Sequence, residues 1–361
     1  MLNNMFKKIY GCLIGAAIGD AMGGPVEMLD HDQISREYGK VQDLLYYDNV
    51  DPNPHGPWKK DAGSITDDTR LRNLIINAVV NSEYNISEYD VDKEIINFYH
   101  NSENELQKDW IEEYYYKAIY KASKLAFGGQ PTNAGVMSLQ PIGILYLCDP
   151  DTAFSKAFNL FNYTDSYSRY SGAFSAALTS AGFIPGVTAK ETVLLSLDAM
   201  KKYKLSVEGP RWTNVDLYQH VAMENEQLIF RAIEIAEKYN DVDSESFKKE
   251  IYDKLLQKYK YDGSETIALS VAALIAAKGD FKISVQGAVN LGRDNDSSAT
   301  LVGAVTGAMS GADIIPKTWK DVIIKANKNE VCIKEQAENL YRIIQKQIKN
   351  QEIINNRISN I

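Results

Sequence analysis

Two clusters of oxygen-bearing side chains have the residue types and spacing of a cation or phosphate site. The first, Thr-Asp-Asp-Thr at residues 66–69, stands at the start of an apolar helical pattern. The second, Asp-Asn-Asp-Ser-Ser at residues 294–298, stands at the start of another. Carboxylate and hydroxyl oxygens are the ligands that hard cations such as Mg²⁺, Ca²⁺ and Mn²⁺ prefer. Each cluster alone is typical of a helix cap or a solvated surface, but together they indicate one composite site.

The softer metal ligands of the chain form no comparable pattern. The histidines are scattered, without metal-ligand spacing, at His31, His55, His100 and His220. The cysteines are widely spaced, without a Cys-x-x-Cys pair, at Cys12, Cys148 and Cys332. The sequence therefore argues against a thiolate zinc site and a disulfide framework, and it favours a hard divalent cation.

Two stripes of glycine lie in the helical runs that must position these clusters. Glycine recurs every four residues, on one helix face, at Gly11, Gly15, Gly19 and Gly23 and again at Gly303, Gly307 and Gly311. Glycine costs a helix roughly 1 kcal/mol relative to Ala, so the stripes indicate that another backbone approaches closely. We expect both helices to pack backbone to backbone in the core, against another element or against each other.

Apolar residues at helical spacing run through most of the chain, and strand-like alternation is almost absent outside short runs such as residues 41–47. Residues 29–63 are polar and turn-rich, which predicts a long loop before a helix capped by Ser64 or Thr66. We predict an all-α fold of a dozen or more helices. It forms a single compact domain over residues 1–361, with a peripheral C-terminal helix at about 332–351.

Composition narrows the class of protein. The chain has 361 residues, 45% of them hydrophobic, which is enough for a substantial core. A net charge of -9 argues against a nucleic-acid partner, because such binding depends on Lys and Arg contacts to phosphate. The apolar run at residues 9–22 resembles a signal peptide, but Asp20 interrupts it and no cleavage pattern follows. We expect a soluble cytoplasmic protein without a membrane partner.

Three blocks of the sequence, taken together, resemble the ADP-ribosylglycohydrolase family. They are the glycine-striped residues 11–27, the Thr-Asp-Asp-Thr cluster, and Gly-Arg-Asp-Asn-Asp-Ser at residues 292–297, in the family's order. The resemblance implies an all-α fold with a binuclear Mg²⁺ or Mn²⁺ centre at the bottom of a central cleft. It also implies hydrolysis of an N- or O-glycosidic bond at the anomeric carbon of ADP-ribose.

The resemblance also assigns residues to roles. It implies metal ligands from both clusters, namely Thr66, Asp67, Asp68, Asp294, Asp296 and Ser297. Glu27 matches a glutamate near the metals that contacts substrate or gates the cleft, and Asp20 matches a residue that supports the site from behind the ligands. Two divalent ions would bind ribose hydroxyls, polarise a water molecule and stabilise charge as the bond breaks. Asp67, Asp68 or Glu27 could accept the proton from water, and the sequence does not choose among them.

The central block departs from the family's pattern. Relatives commonly have Met-Arg in this block, whereas this chain has Met137 followed by Ser138. Many relatives then have Thr-His, where this chain has Thr-Asp-Ser at residues 164–166. The resemblance implies substrate contacts from Glu27, Asn133, Gly135, Asp165 and Arg293. Because these regions line the cleft in the family, the leaving group is the open question.

The sequence therefore predicts a metal-dependent N-glycosyl hydrolase. Its substrate would be an ADP-ribosylated protein, or a small ADP-ribose or ribonucleoside conjugate. One alternative is a hydrolase of a small nucleoside-like metabolite, which the altered central block favours. Another is a non-catalytic ADP-ribose-binding protein, against which the retained acidic clusters argue. Turnover of ADP-ribosyl-arginine, ADP-ribosyl-serine or simple nucleosides would distinguish the three.

Overall fold

The computed structural model describes residues 4–47, 61–102, 105–120, 131–160, 163–164, 167–206 and 215–360. Over these ranges the chain forms seventeen α-helices, two short 3-10 helices and no β-strand. The prediction of an all-α protein is confirmed.

The helices follow one another as α1 (Asn4–Gly23), α2 (His31–Tyr38), α3 (Asp67–Ser82), α4 (Glu88–Asn101), α5 (Glu105–Ile119), α6 (Ala134–Ser138), α7 (Gln140–Leu145), α8 (Pro150–Leu160), α9 (Tyr167–Gly182), α10 (Ala189–Ser206), α11 (Val215–Tyr239), α12 (Glu245–Lys254), α13 (Gly263–Ala276), α14 (Phe281–Leu291), α15 (Asn295–Ser310), α16 (Lys317–Ala326) and α17 (Ile333–Ile358). The 3-10 helices are Gly24–Val26 and Ala312–Ile314.

The glycine stripes of α1 and α15 face each other. A β-carbon built on Gly15 would lie 2.4 Å from the Gly303 carbonyl oxygen, and one built on Gly303 would lie 2.1 Å from the Gly15 carbonyl oxygen. Gly11 and Gly307 meet in the same way one turn along. Each helix is therefore the close partner of the other, and their contact joins the two ends of the chain in the core.

Helix α1 is buried by its neighbours. With the following 3-10 turn it is long and apolar enough to cross a membrane by length and composition, yet almost all of it is covered by other helices. Its side chains Ile9, Leu13, Ile14 and Ile18 are completely inaccessible. In this structure α1 is a core helix.

Each acidic cluster lies at the start of a helix. Thr66 caps α3, because its backbone is extended and its hydroxyl accepts a hydrogen bond from the Asp68 amide. Asp294 stands immediately before α15, after a turn in which Gly292 has φ +76° and Arg293 has φ +72°. Most side chains at both helix starts are buried, and Asp67 is partly exposed.

Three regions differ from the sequence-based expectations in detail. The long loop expected at residues 29–63 contains helix α2, at the start of which Asp30 forms a capping box with Gln33. Residues 41–47 form no strand; instead the Asn290 side chain bonds to both the amide and the carbonyl of Val41, at 2.9 and 2.8 Å. The apolar run around Pro141 forms two short helices, α6 and α7, that meet at Leu139. Proline at the second position of α7 lacks the amide that would continue one helix.

The C-terminal helix α17 runs further than expected. It continues to Ile358, and Ile344 is its last buried residue. Beyond position 347 every described residue is exposed, including Ile348 and Ile354. The end of α17 therefore contributes little to the core.

Candidate active site

A cleft of about 380 Å³ opens above the two helix starts. Its floor is acidic and combines residues from both ends of the chain, namely Glu27, Asp67, Asp68, Asp294, Asp296 and Ser297. One wall is α5, which contributes Asp109, Trp110, Glu113, Tyr114 and Lys117. The opposite side includes Thr132, Asn133, Met137 and Tyr261. The structure thus brings together the clusters that the sequence places far apart.

On the floor, the hydroxyl of each cluster contacts a carboxylate of the other. The Thr66 hydroxyl donates to Asp296 Oδ2 and the Ser297 hydroxyl donates to Asp68 Oδ2, each across 3.4 Å. Both contacts are long for hydrogen bonds between oxygens. The four side chains are almost fully buried, with at most 2% of any residue exposed. They form an interleaved set of oxygen atoms that is shielded from bulk water.

Two oxygens in this set are left without a partner. Asp68 Oδ1 and Asp296 Oδ1 are buried and accept no hydrogen bond from the described residues. Burial raises the pKa of both carboxyls well above the ordinary value, and neighbouring carboxylates add to the rise. Since an unpaired buried carboxylate is costly, these atoms suit a hard cation.

The donor set for such a cation is mixed. No three His, Cys, Asp or Glu side chains meet as a ready-made metal site anywhere in the described parts of the chain. The hydroxyls of Thr66 and Ser297, which lie between the carboxylates, would have to complete the coordination. Oxygen-only ligands of this kind fit Mg²⁺ or Mn²⁺ and do not fit zinc.

Behind the floor, Asp20 holds the first turn of α3. Its carboxylate accepts hydrogen bonds from the backbone amides of Thr66 at 3.0 Å and Thr69 at 3.1 Å. Burial raises the pKa of Asp20, although these bonds oppose the rise. Asp20 therefore fixes the backbone at the start of α3, and its supporting role at a metal site stays a prediction.

Arg72 is a buried cation in the same region that the sequence reasoning missed. It is completely inaccessible, and its guanidinium donates to the Thr69 hydroxyl at 3.3 Å. Burial lowers the pKa of Arg72, and the charges of Asp20 and Asp68 oppose that shift. Nothing in the sequence marks it, because one Arg in an amphipathic helix normally faces solvent.

The raised pKa values of the clustered carboxyls predict that the stability of the metal-free protein depends on pH. Burial raises the pKa of Asp67 to about 7 and that of Glu27 well above its ordinary value. The folded state therefore binds more protons than the unfolded state between about pH 4 and pH 7, so stability falls as pH rises through this window. We expect urea unfolding in EDTA to show a less stable protein at about pH 7.5 than at about pH 5.

Added Mg²⁺ or Mn²⁺ should remove most of that difference. A cation that binds only the folded state stabilises it by about 2.7 kcal/mol at 100 times its dissociation constant. Ca²⁺ and Zn²⁺ serve as comparison ions in the same titration. Stability that rises from acid to neutral pH in EDTA would contradict the assignment of repelling carboxylates.

Two predicted substrate contacts are absent from the described cleft lining, and a third lies outside the described residues. Arg293 is not among the described residues lining the cleft; its guanidinium pairs with Glu265 at 2.7 Å. Gly135 packs against Gly172, where an added β-carbon would lie 3.1 Å from the Gly135 Cα atom. Asp165 lies outside the described residues. Asn133 does line the cleft, and its amide donates to the Thr266 hydroxyl at 3.1 Å.

Two tyrosines belong to the site although no motif marked them. Tyr114 of α5 lines the cleft, and burial together with the charge of Asp67 raises its pKa well above the ordinary value. Tyr47 is buried against Gly24, and its hydroxyl donates to the Ser64 carbonyl at 3.2 Å. The Tyr-rich composition of α5 was the available signal for Tyr114.

Comparison with known proteins identifies the family that the sequence motifs resemble, and the match extends over nearly the whole chain. The family model described as ADP-ribosylglycohydrolase matches residues 1–350. An uncharacterized protein of Archaeoglobus fulgidus is 27% identical, covering 96% of this chain and 99% of its own length. ADP-ribosylhydrolase ARH3 of Homo sapiens is 21% identical, covering 94% of both chains. The bovine ARH3 is also 21% identical, over 95% of this chain.

A solved structure has the same fold. It is described as an ADP-ribosylglycohydrolase-related protein complex, and it aligns with a TM-score of 0.65 and 18% identity over 95% of this chain and all of its own. At that identity the likeness concerns the fold. With the match of the family model to nearly the whole sequence, the chain belongs to the ADP-ribosylglycohydrolase family and is a glycosidase-type hydrolase.

Proposed function

We propose that this enzyme hydrolyses the glycosidic bond at the anomeric carbon of an ADP-ribose conjugate and requires two divalent cations, Mg²⁺ or Mn²⁺. The observation that carries the proposal is the buried oxygen floor, on which Asp68 Oδ1 and Asp296 Oδ1 have no partner. The ligand set would be Thr66, Asp67, Asp68, Asp294, Asp296 and Ser297. The bound cations would supply Lewis-acid and charge-stabilising chemistry at the ribose hydroxyls.

The less buried carboxylates have the access that proton transfer requires. All four carboxylates line the cleft, but Glu27 and Asp67 are partly exposed, whereas Asp68 and Asp296 are buried. A general base must lie within hydrogen-bond reach of the water that it deprotonates. We therefore assign proton acceptance to Glu27 or Asp67. The surrounding negative charge would stabilise the oxocarbenium-like character that develops as the bond breaks.

The walls of the cleft favour a substrate with flat and polar parts. Trp110, Tyr114 and Tyr261 present aromatic rings along the lining, while Thr132 and Asn133 present polar groups. Aromatic faces combined with a few hydrogen-bonding groups are typical of nucleoside-binding surfaces and of small-molecule sites in general. The family and the similarity to ARH3 support ADP-ribose as the common part of the substrate, on a modified protein or a small conjugate.

One observation favours a second candidate, a hydrolase of a small nucleoside-like metabolite. Among the described lining residues Lys117 is the basic side chain, and it already pairs with Glu113 and donates to the Tyr163 carbonyl at 3.1 Å. A diphosphate normally binds Arg, Lys or clustered backbone amides. Ser138, which stands where relatives commonly have Arg, is buried and donates to the Ala134 carbonyl at 2.5 Å.

A substrate panel tests both candidates. The purified protein is incubated with ADP-ribosyl-arginine, ADP-ribosyl-serine and simple ribonucleosides, in EDTA and after addition of Mg²⁺ or Mn²⁺. We expect release of ADP-ribose with either cation and none in EDTA. Free ribose from nucleosides, without turnover of the ADP-ribose conjugates, would support the second candidate.

Two outcomes would contradict the main proposal. Equal turnover in EDTA and in Mn²⁺ would remove the metal requirement. No turnover of any substrate together with tight binding of ADP-ribose would instead support a non-catalytic binding protein. Calorimetric titration with ADP-ribose, at the metal concentration used in the assay, distinguishes that case from an unsuitable substrate.

A further inference from the structure

Glu27 and Asp294 each adjoin the same backbone crossing. The Met28 amide donates to the Arg293 carbonyl at 2.8 Å, and the Arg293 amide donates to the Leu29 carbonyl at 2.7 Å. Glu27 directly precedes this reciprocal pair on one segment, and Asp294 directly follows it on the other. The separation of the two carboxylates therefore depends on how firmly the crossing is held.

The backbone at the crossing is in a conformation that needs support. Arg293 has φ +72°, a left-handed conformation that is unfavourable for a non-glycine residue. Gly292 has φ +76°, and a β-carbon built on it would lie 2.4 Å from the Leu29 carbonyl oxygen. A turn of this kind persists only when surrounding contacts fix it.

The Arg293 side chain provides one such contact. Its Nε lies 2.7 Å from Glu265 Oε1 and its Nη2 lies 3.1 Å from Glu265 Oε2, a two-pronged pair. Nη2 also donates to the Gln257 carbonyl at 3.0 Å. Glu265 is completely buried in the first turn of α13, and the Gln257 amide donates to its Oε2 at 2.5 Å.

The other segment of the crossing is attached to the same region. Lys260 donates to the Met28 carbonyl at 2.7 Å and pairs with Asp30 at 2.9 Å. Residues 257–265 therefore hold both segments, one through Arg293 and one through Lys260. This assembly, which we call the crossing clamp, lies beside the cleft floor without contributing Arg293 to the described lining.

We propose that Arg293 is a positioning residue that fixes Glu27 relative to Asp294 through the crossing clamp. This inference rests on the proposed function of the cleft and replaces the expectation that Arg293 contacts substrate. Nε and Nη2 of the guanidinium are engaged by Glu265 and the Gln257 carbonyl, and Asp30 lies 3.9 Å from Nη1, so the charged group is held on the side of residues 257–265. The buried ion pair therefore supports the left-handed turn, and the turn supports the backbone crossing.

The test separates positioning from simple stability. Arg293→Met and Glu265→Met each leave a buried charge unpaired and should destabilise the protein. The double variant removes both charges and should recover most of the stability, as buried ion pairs replaced by apolar groups often do. It should nevertheless show kcat about 10- to 100-fold lower with KM little changed, the size of loss typical of residues that orient a site.

Two further variants test whether the geometry of the ion pair matters and whether any lost ion pair has the same effect. Arg293→Lys keeps the charge but loses the two-pronged geometry, so its kcat should fall between those of the wild type and the double variant. Lys238→Met breaks a surface pair with Glu250 that makes none of the clamp contacts, and it should leave activity and stability nearly unchanged. Increased KM with unchanged kcat in the double variant would instead make Arg293 a substrate contact.

A metal-binding readout keeps the inference independent of turnover. Mn²⁺ affinity, measured by electron paramagnetic resonance on the folded double variant, should fall about 10- to 100-fold, because Asp294 is no longer held in place. Wild-type kcat and wild-type Mn²⁺ affinity in the double variant would overturn the inference. A wild-type protein that hydrolyses no conjugate would overturn the proposed function, while the Mn²⁺ titration would still decide the role of Arg293.

Discussion

Replacing Asp296 by Asn is expected to remove most of the activity and leave the fold intact. Asp296 is buried in the first turn of α15, one of its oxygens has no partner, and the other accepts from Thr66. Asn keeps the volume but lacks the charge that hard cations require. We expect kcat/KM to fall by more than about 100-fold, since even groups that only support metal ligands typically account for 10- to 100-fold.

The Asp296→Asn variant should lose activity without losing stability. In the absence of metal the Asp296 carboxylate is repelled by Glu27, Asp68 and Asp294, and its neutralisation removes that repulsion. The variant in EDTA should therefore be at least as stable as the wild type in urea unfolding. Asp280→Asn is the matched control, because Asp280 caps α14 by accepting from the Ile283 amide, a role Asn performs equally well. Normal hydrolysis by the Asp296 variant would show that the assignment of this residue is wrong.

Replacing Gly303 by Ala is expected to be severely destabilising. The new β-carbon would lie 2.1 Å from the Gly15 carbonyl oxygen and 2.7 Å from the Gly15 carbonyl carbon. Backbone atoms cannot rotate aside as a side chain can, so α1 and α15 must separate along their length. We expect a loss of about 3 kcal/mol or more in the free energy of unfolding, at the upper end of overpacking effects. Activity should fall in the same variant, because a displaced α15 carries Asp296 away from Thr66.

Gly186→Ala is the control for Gly303→Ala, because it adds the same methyl group where there is free space. Gly186 has φ +76°, and no atom lies within 4 Å of the β-carbon position, so this substitution costs only backbone strain of roughly 1–2 kcal/mol. Both variants add one methyl group to a glycine, and they differ in what that group meets. A Gly303 variant that is no less stable than the Gly186 variant would show that the two helices can move apart freely.

Much of this structure could be predicted from residue types and spacing. The stripes on α1 and α15 predicted a close backbone contact, and the contact is there. The Thr-Asp-Asp-Thr cluster predicted a cap, and Thr66 provides it. The three motif blocks indicated the family, and the match over residues 1–350 confirms it. The stripes and the cap are local in sequence, which is why residue spacing reveals them, whereas the family was indicated by a resemblance of three separate blocks.

Other features depend on partners that are distant in sequence. Val41 pairs with the side chain of Asn290, and Arg293 pairs with Glu265, neither of which follows from a local pattern. The same holds for Arg72, which only the packing of α3 makes a buried cation. The substrate contact predicted for Arg293 followed its position next to a predicted ligand, whereas its side chain pairs with Glu265 outside the described cleft lining. The predicted single domain and the metal ions stay predictions.

The joining of α1 and α15 also has a consequence for synthesis. The Thr66 hydroxyl and the Asp296 carboxylate that meet on the floor are 230 positions apart, so the site has no local precursor. A chain grows from its N-terminus at about 5–20 residues per second, and until α15 emerges α1 exposes an apolar face with its glycine groove empty. Contacts between such distant segments form slowly and late. A truncated product without α15 would leave this apolar face of α1 uncovered and would lack the half of the acidic floor that Asp296 and Ser297 provide.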